Sequence, residues 1–175
     1  MSLTLKHSMP WIQNVARSDI TQGFHIDPGV NAMLIQIADP PGDFPVPKYQ
    51  FRETHQFEFL DVEEQDTVLD EAMRCSPEQA AELTRLLQHA LANHMNVIVH
   101  CHAGVCRSGA VAEVGIMLGF NDTEAFRAPN LLVKHRMMKA LGLYYDENEA
   151  PTINGKPYQY SAGGIILPPD HEGDV

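Results

Sequence analysis

Cys101 and Arg107 stand six positions apart in the segment Val-Ile-Val-His-Cys-His-Ala-Gly-Val-Cys-Arg-Ser, residues 97–108. A thiolate is a strong nucleophile, and a guanidinium can grip two oxygens of one phosphate. The residues between them, His102, Ala103, Gly104, Val105 and Cys106, are short or flexible enough to curl into a ring with backbone N–H groups inward. The β-branched run before Cys101 reads as a buried strand, and the chain beyond Ser108 reads as a helix. That helix N-terminus would add unpaired donors and partial positive charge. Together these features suit a phosphate-sized anion held over a thiolate, and they stabilise the thiolate.

The elements that must position this segment are legible on either side. Ser76-Pro77-Glu78-Gln79 is a helix start, with a capping serine, proline at the first helical position and glutamine three residues past the cap. Ala80, Leu83, Leu87, Ala90 and Leu91 mark one apolar face, predicting a helix to about Asn93. Val97 to His100 is the strand feeding Cys101. Val111, Val114, Gly115 and Leu118 continue at helical spacing to Gly119, and a further helix is expected from about Pro129 to Leu141, with Gly142 at its end. Upstream, Ala32 to Ala38 reads as a buried strand and His55 to Leu60 as a second one. A proline-dense loop, 39–47, lies between them and cannot join a sheet interior. Leu3 and Leu5 alternate with polar residues, and Trp11 to Val15 fits more than one element. Strands alternating with helices predict an α/β fold, a central mostly parallel sheet flanked by helices, with the cysteine loop beyond a strand's carboxyl end.

Residues 1–145 are expected to form one domain, since 175 residues suffice for a single independent core. From 146 to 175 the chain turns acidic and rich in Gly and Pro, with Gly164-Ile-Ile-Leu167 its one apolar stretch, and reads as an extended or disordered arm. A formal net charge of −11 argues against nucleic-acid or anionic-membrane binding through bulk charge. An anionic substrate must then be drawn in by a local positive site. Three cysteines, Cys75, Cys101 and Cys106, make no disulfide framework. With no signal-peptide pattern and no span-length apolar run, the expectation is a cytoplasmic protein, and a monomer.

His100, Cys101, Gly104, Arg107 and Ser108 match, position by position, the signature His-Cys-x-x-Gly-x-x-Arg-Ser/Thr of the cysteine-dependent protein tyrosine phosphatase superfamily. Lying mid-chain behind a helix and a strand, the segment resembles the compact, bacterial, dual-specificity-phosphatase-like type. Asp39-Pro40 after a buried strand, and Pro129-Asn130 opening a late helix before Leu141-Gly142, extend the resemblance over roughly residues 30 to 143. The resemblance implies a dual-specificity-phosphatase-like fold and a hydrolase of phosphate monoesters, on phosphorylated protein or a small phosphate ester, with no cofactor and no metal. It implies that Cys101 attacks phosphorus, Arg107 and the loop amides hold the equatorial oxygens, Ser108 hydrogen-bonds the sulfur and His100 organises the loop. It also implies an aspartate as general acid on the loop before the helix at Ser76. Counting back from that cap by the offset seen in the bacterial enzymes it resembles, the resemblance favours Asp66, ahead of Asp70 and then Asp61, with Glu63 and Glu64 nearby. Asn130 would support the loop or merely cap a helix.

Two residues depart from the usual pattern. Cys106 is a second thiol inside the loop, read either as packing or as a partner that traps oxidised Cys101 in a disulfide. His102 would face the cleft mouth. Rival readings are a rhodanese-like sulfurtransferase or arsenate reductase, a non-catalytic phosphate-binding module, and zinc binding through His100, Cys101, His102 and Cys106. The last is disfavoured because consecutive strand positions face opposite ways and no second Cys/His pair has finger spacing.

Overall fold

The computed structural model describes residues 9–24, 26–62, 71–143, 152–157, 159–161 and 164–166. Five strands, all parallel, make its centre: β1 (Trp11–Ala16), β2 (Ala32–Ala38), β3 (Glu53–Glu58), β4 (Asn96–Cys101) and the short β5 (Asn121–Asp122), in the order β3-β2-β4-β1-β5. Around them run α1 (Arg17–Gln22), α2 (Pro77–Ala92), α3 (Arg107–Leu118) and α4 (Leu131–Ala140). The α/β class and the sheet flanked by helices are as the sequence predicts, and the sheet is parallel throughout.

The two inner strands β2 and β4 are buried on both faces, which is why they read as nearly unbroken apolar runs. Period two sorts their side chains. Met33, Ile35, Ile37, Val97, Val99 and Cys101 join the larger core, which α2, α3 and α4 close with residues such as Leu83, Leu87, Val111, Val114 and Met137. Leu34, Ile98 and Val15 face the other way and form a smaller core with Ile20 of α1, edged by Trp11, Phe24 and Phe51. Helix α2 starts as its sequence dictates: Gln79 N–H donates to Ser76 Oγ at 3.0 Å, and Ser76 N–H donates to Gln79 Oε1 at 2.9 Å. Among the described residues no helix is long and apolar enough to cross a membrane.

Several boundaries differ from the sequence reading. Trp11 to Ala16 resolves as a strand, because Ile12 to Ala16 pair in register with Val97 to Cys101. The strand expected from His55 begins at Glu53, where pairing with Met33 of β2 starts, and ends at Glu58. α1 and β5 are unheralded, being short and polar. The expected helix from Pro129 begins at Leu131 because Asn130 takes the cap, accepting from Val133 N–H at 3.0 Å. Within the segment read as an arm, Thr152–Ile153 pairs antiparallel with Lys156–Pro157, and Gln159–Ser161 with Gly164–Ile166. The first of these hairpins docks on the body: Asn154 N–H donates to Arg127 O at 2.8 Å and Arg127 N–H to Asn154 Oδ1 at 2.5 Å. Leu3, Leu5 and Leu167 lie outside the described residues.

The central strand carries one buried ionisable group beside the cysteine. His100 is fully enclosed; Nδ1 lies 3.2 Å from Cys101 O, and Nε2 has no partner. Burial pushes its pKa down from 6.5 to about 4, helped by the charges of Arg17 and Arg107 and opposed by the bond to Cys101 O. Between those two pH values the unfolded chain binds a proton that the folded chain refuses. The stability contributed by neutral His100 is therefore complete above pH 6.5 and drains away as pH falls toward 4. Urea unfolding at pH 6.5 and pH 5 should show a stability loss about 2 kcal/mol larger in the natural chain than in His100→Gln; equal losses in both proteins would contradict this account.

Candidate active site

The ring that the sequence suggests is built at the end of β4. Cys101 is the last residue of that strand and 3% exposed, with its Sγ 3.1 Å from Ser108 Oγ at the start of α3. The carbonyl oxygens that follow, that of Ala103 excepted, are taken from outside the ring. His102 O accepts from Arg17 N–H at 3.1 Å, Val105 O from Ala128 N–H at 3.2 Å and Cys106 O from Asn130 N–H at 3.0 Å. Gly104 O accepts from the Asn14 side-chain amide at 2.7 Å. A trans peptide sends its C=O and the next N–H in opposite directions. With the carbonyls turned outward, the N–H groups of Ala103, Val105, Cys106 and Arg107 turn toward the ring's interior. The cap of α3, Cys106, makes no side-chain cap bond, so the ring runs straight into an uncapped helix N-terminus.

Gly104 is glycine for a geometric reason. Its φ is +76°, and a Cβ there would stand 2.3 Å from the Val15 carbonyl carbon and 2.4 Å from Ala16 N. The ring is pressed against the backbone at the end of β1, so no side chain fits.

Arg107 is not a surface residue; it is 4% exposed and anchored by one nitrogen. Its Nη1 donates to Asp39 Oδ1 at 2.6 Å and to Phe59 O at 2.8 Å. Asp39 follows β2 and Phe59 follows β3, so the carboxyl ends of two strands orient the guanidinium held over the third. Its Nε is buried without a partner. A cationic N–H left without an acceptor in a buried setting is costly unless an anion comes to it.

A cavity of about 270 Å³ opens here, lined by Arg17, Ile37, Asp39, Cys101, His102 and Arg107 among others. A larger open pocket of about 570 Å³ reaches Ala103, Gly104 and Val105 from the β1 side, between Phe24, Tyr49 and Phe126. It includes neither Cys101 nor Arg107, and the smaller cavity is the one with chemistry in it.

The remaining expected residues divide. Asn130 is 1% exposed and uses its amide three ways: Oδ1 caps α4, while Nδ2 donates to Asp61 Oδ1 at 2.7 Å and to Val62 O at 3.1 Å. It thus bridges the ring, through Cys106 O, to the start of the acidic loop, and Asp61 comes with it. Asp66, Asp70, Glu63 and Glu64 lie outside the described residues. Cys106 and Cys101 are not joined in a disulfide. Among the described residues no three His, Cys, Asp or Glu side chains gather as metal ligands.

Three participants escaped the sequence reading. Arg17 enters from β1, whose register places Ala16 opposite Cys101; Asp39 grips Arg107; and Asn14 donates both to Gly104 O and, at 2.9 Å, to Phe126 O. The signal for the first two is position: polar residues just past the carboxyl ends of buried strands.

Gly104→Ala should lower folding stability by about 2–4 kcal/mol, from backbone strain and the clash with Val15, as read by the denaturant midpoint; an unchanged midpoint would contradict the close packing of ring on strand. No protein-family model matches this chain and no curated protein matches it.

Proposed function

We propose that the chain is a phosphatase of the cysteine-dependent protein tyrosine phosphatase superfamily, dual-specificity-phosphatase-like in fold, acting on phosphorylated protein or a small phosphate monoester. The observation that carries this reading is the conjunction at one ring: outward carbonyls, inward amides, a buried arginine with an unpartnered Nε, and a cysteine at the centre with a hydroxyl 3.1 Å away.

In this reaction the Cys101 thiolate attacks phosphorus, and an S–P bond forms as the bond from phosphorus to the leaving ester oxygen breaks. A carboxylic acid gives its proton to that oxygen, so the leaving group departs as an alcohol or phenol. The ring amides and the free Nε and Nη2 edge of Arg107 hold the three equatorial oxygens. Water then attacks phosphorus, the carboxylate formed in the first step takes its proton, and the S–P bond breaks. Inorganic phosphate leaves and the thiolate returns. Ser108 donates its O–H to the sulfur and so makes it a better leaving group.

For the proton donor the resemblance favours Asp66. Asp61 is a second reading, favoured by its 2.7 Å hydrogen bond to the residue that also holds Cys106 O. Sulfur transfer and arsenate reduction also use cysteine-headed loops, but the serine beside the sulfur and the anchored arginine fit phosphoryl transfer better.

The test is p-nitrophenyl phosphate turnover in excess EDTA. Activity should persist with EDTA, fall about a thousandfold or more in Cys101→Ser, and fall about 10²–10⁴-fold in the aspartate variant that removes the acid. Asp66→Asn and Asp61→Asn, compared side by side, assign that role. Undiminished activity in Cys101→Ser would overturn the proposal.

A further inference from the structure

The tip of the hairpin at 152–157 meets the body behind the ring that carries Cys101. Thr152–Ile153 and Lys156–Pro157 pair antiparallel, and Asn154-Gly155 turns between them. φ is +48° at Asn154 and +78° at Gly155, the left-handed pair that a two-residue type I′ turn requires and that Asn-Gly suits best. The turn docks on the segment 126–128, and the ring leans on that segment from the other side. The segment is also pressed against α3, since a Cβ on Gly109 would stand 2.9 Å from Arg127 Cβ.

Two peptide groups of this segment hold the ring. In the peptide joining 126 to 127, Phe126 O accepts at 2.9 Å from Asn14 Nδ2, the nitrogen that also donates to Gly104 O. In the next peptide, Ala128 N–H donates to Val105 O at 3.2 Å. A trans peptide points its other polar atom the opposite way, so Arg127 N–H and Arg127 O face away from the ring. Both go to Asn154. Arg127 N–H donates to Asn154 Oδ1 at 2.5 Å, and Asn154 N–H donates to Arg127 O at 2.8 Å. One residue thus grips from behind the two peptides that hold ring carbonyls from the front. The same geometry carries the constraint a step further. Gly104 O shares its peptide with Val105 N–H, and Val105 O shares its own with Cys106 N–H. If either supporting peptide turns, one of those two inward donors loses its aim.

We propose that Asn154 is a positioning residue of the ring, fixing through 126–128 the Val105 and Cys106 amides that take the phosphate. This rests on the phosphatase reading of the same site. The competing account is a hairpin that merely packs against the body. Asn154 is exposed, so a change of its side chain opens no cavity, and an effect on anion binding can be told from an effect on folding. The Arg127 side chain is held independently by Glu113 and Asp122.

Two substitutions in the full chain isolate the contact. Asn154→Gly keeps the left-handed turn and the backbone N–H but removes Oδ1. Asn154→Asp keeps the turn and an acceptor oxygen. Tungstate, a phosphate-shaped oxyanion, is titrated by calorimetry into the natural chain and both variants, with p-nitrophenyl phosphate turnover measured in parallel. Asn154→Gly should weaken tungstate binding about three- to tenfold, the range one intramolecular hydrogen bond is worth, and raise KM by a similar factor. Asn154→Asp should restore both. In amide spectra the Val105 and Cys106 resonances should move in Asn154→Gly and return in Asn154→Asp. Equal tungstate affinity in Asn154→Gly and the natural chain, whatever happens to the unfolding midpoint, overturns the proposal. So does an Asn154→Asp variant that binds as weakly as Asn154→Gly. A natural chain that binds tungstate without turning over the ester overturns the phosphatase reading alone, and the tungstate comparison then still decides the role of Asn154. A natural chain that binds no tungstate overturns both.

Discussion

Where the carbonyl oxygens of residues 102 to 106 point decides everything else at this site. Left to itself a seven-residue turn would satisfy its own N–H groups with its own carbonyls, as a helix does, and offer nothing to a ligand. Here each carbonyl but that of Ala103 is occupied by a donor from another segment: the amide after β1, the side chain of Asn14, and the backbones of Ala128 and Asn130. The donors are fixed in turn. Asn14 sits in a strand paired with β4, and Asn130 is locked between helix cap and acidic loop. The ring is held open from outside, and this permits inward-facing amides without a ligand present.

The same logic extends to charge. A guanidinium that must meet an anion in a dry site is most effective when its orientation is set beforehand. Asp39 and the Phe59 carbonyl share one nitrogen of Arg107 and leave the other edge uncommitted. Behind the ring, Arg127 and Lys134 both approach Glu113, at 3.4 and 3.0 Å, all three nearly buried, and so tie α3, α4 and the segment before α4 to one another. Glu113 is the carboxylate both cations share, Arg127 pairing with Asp122 as well, which makes the cluster a strong constraint on how the three pieces sit. Arg127 also carries the hairpin at 152–157 through Asn154, so part of the carboxyl-terminal segment reports on the same framework.

Much of this is legible in the sequence alone. A run such as Ala32–Ala38 can only be a buried strand, and Ser76-Pro77 with Gln79 can only open a helix, because each signal is local: apolar period and cap chemistry act within a few residues. The ring was legible for the same reason, since Gly104, Arg107 and Ser108 lie close to Cys101 in the chain. What escaped was non-local. Nothing within β1 announces that Asn14 will meet Gly104 ninety residues on, or that Arg17 will stand beside His102. Those contacts follow from strand order, in which β1 and β2 flank β4, and strand order comes from the packing of the whole sheet. The short polar elements α1 and β5 escaped because their burial is supplied by neighbours rather than by their own pattern.

The strand order also explains why an acidic chain can hold anion chemistry at all. Since β1 and β2 are the two neighbours of β4, their carboxyl ends deliver Arg17 and Asp39 to either side of Cys101. One neighbour contributes a cation and the other a carboxylate that aims the ring's own cation. The proline-dense loop after β2 then folds back so that Asp43 reaches Arg17 as well. Acid residues here do not oppose anion binding; they hold two arginines apart and in place, and prevent either from collapsing onto the other's partners. A neutral residue at position 39 would leave Arg107 with Phe59 O alone and free to turn its Nε away from the ring, so the negative charge nearest the cleft is part of what makes the cleft fit for a phosphate.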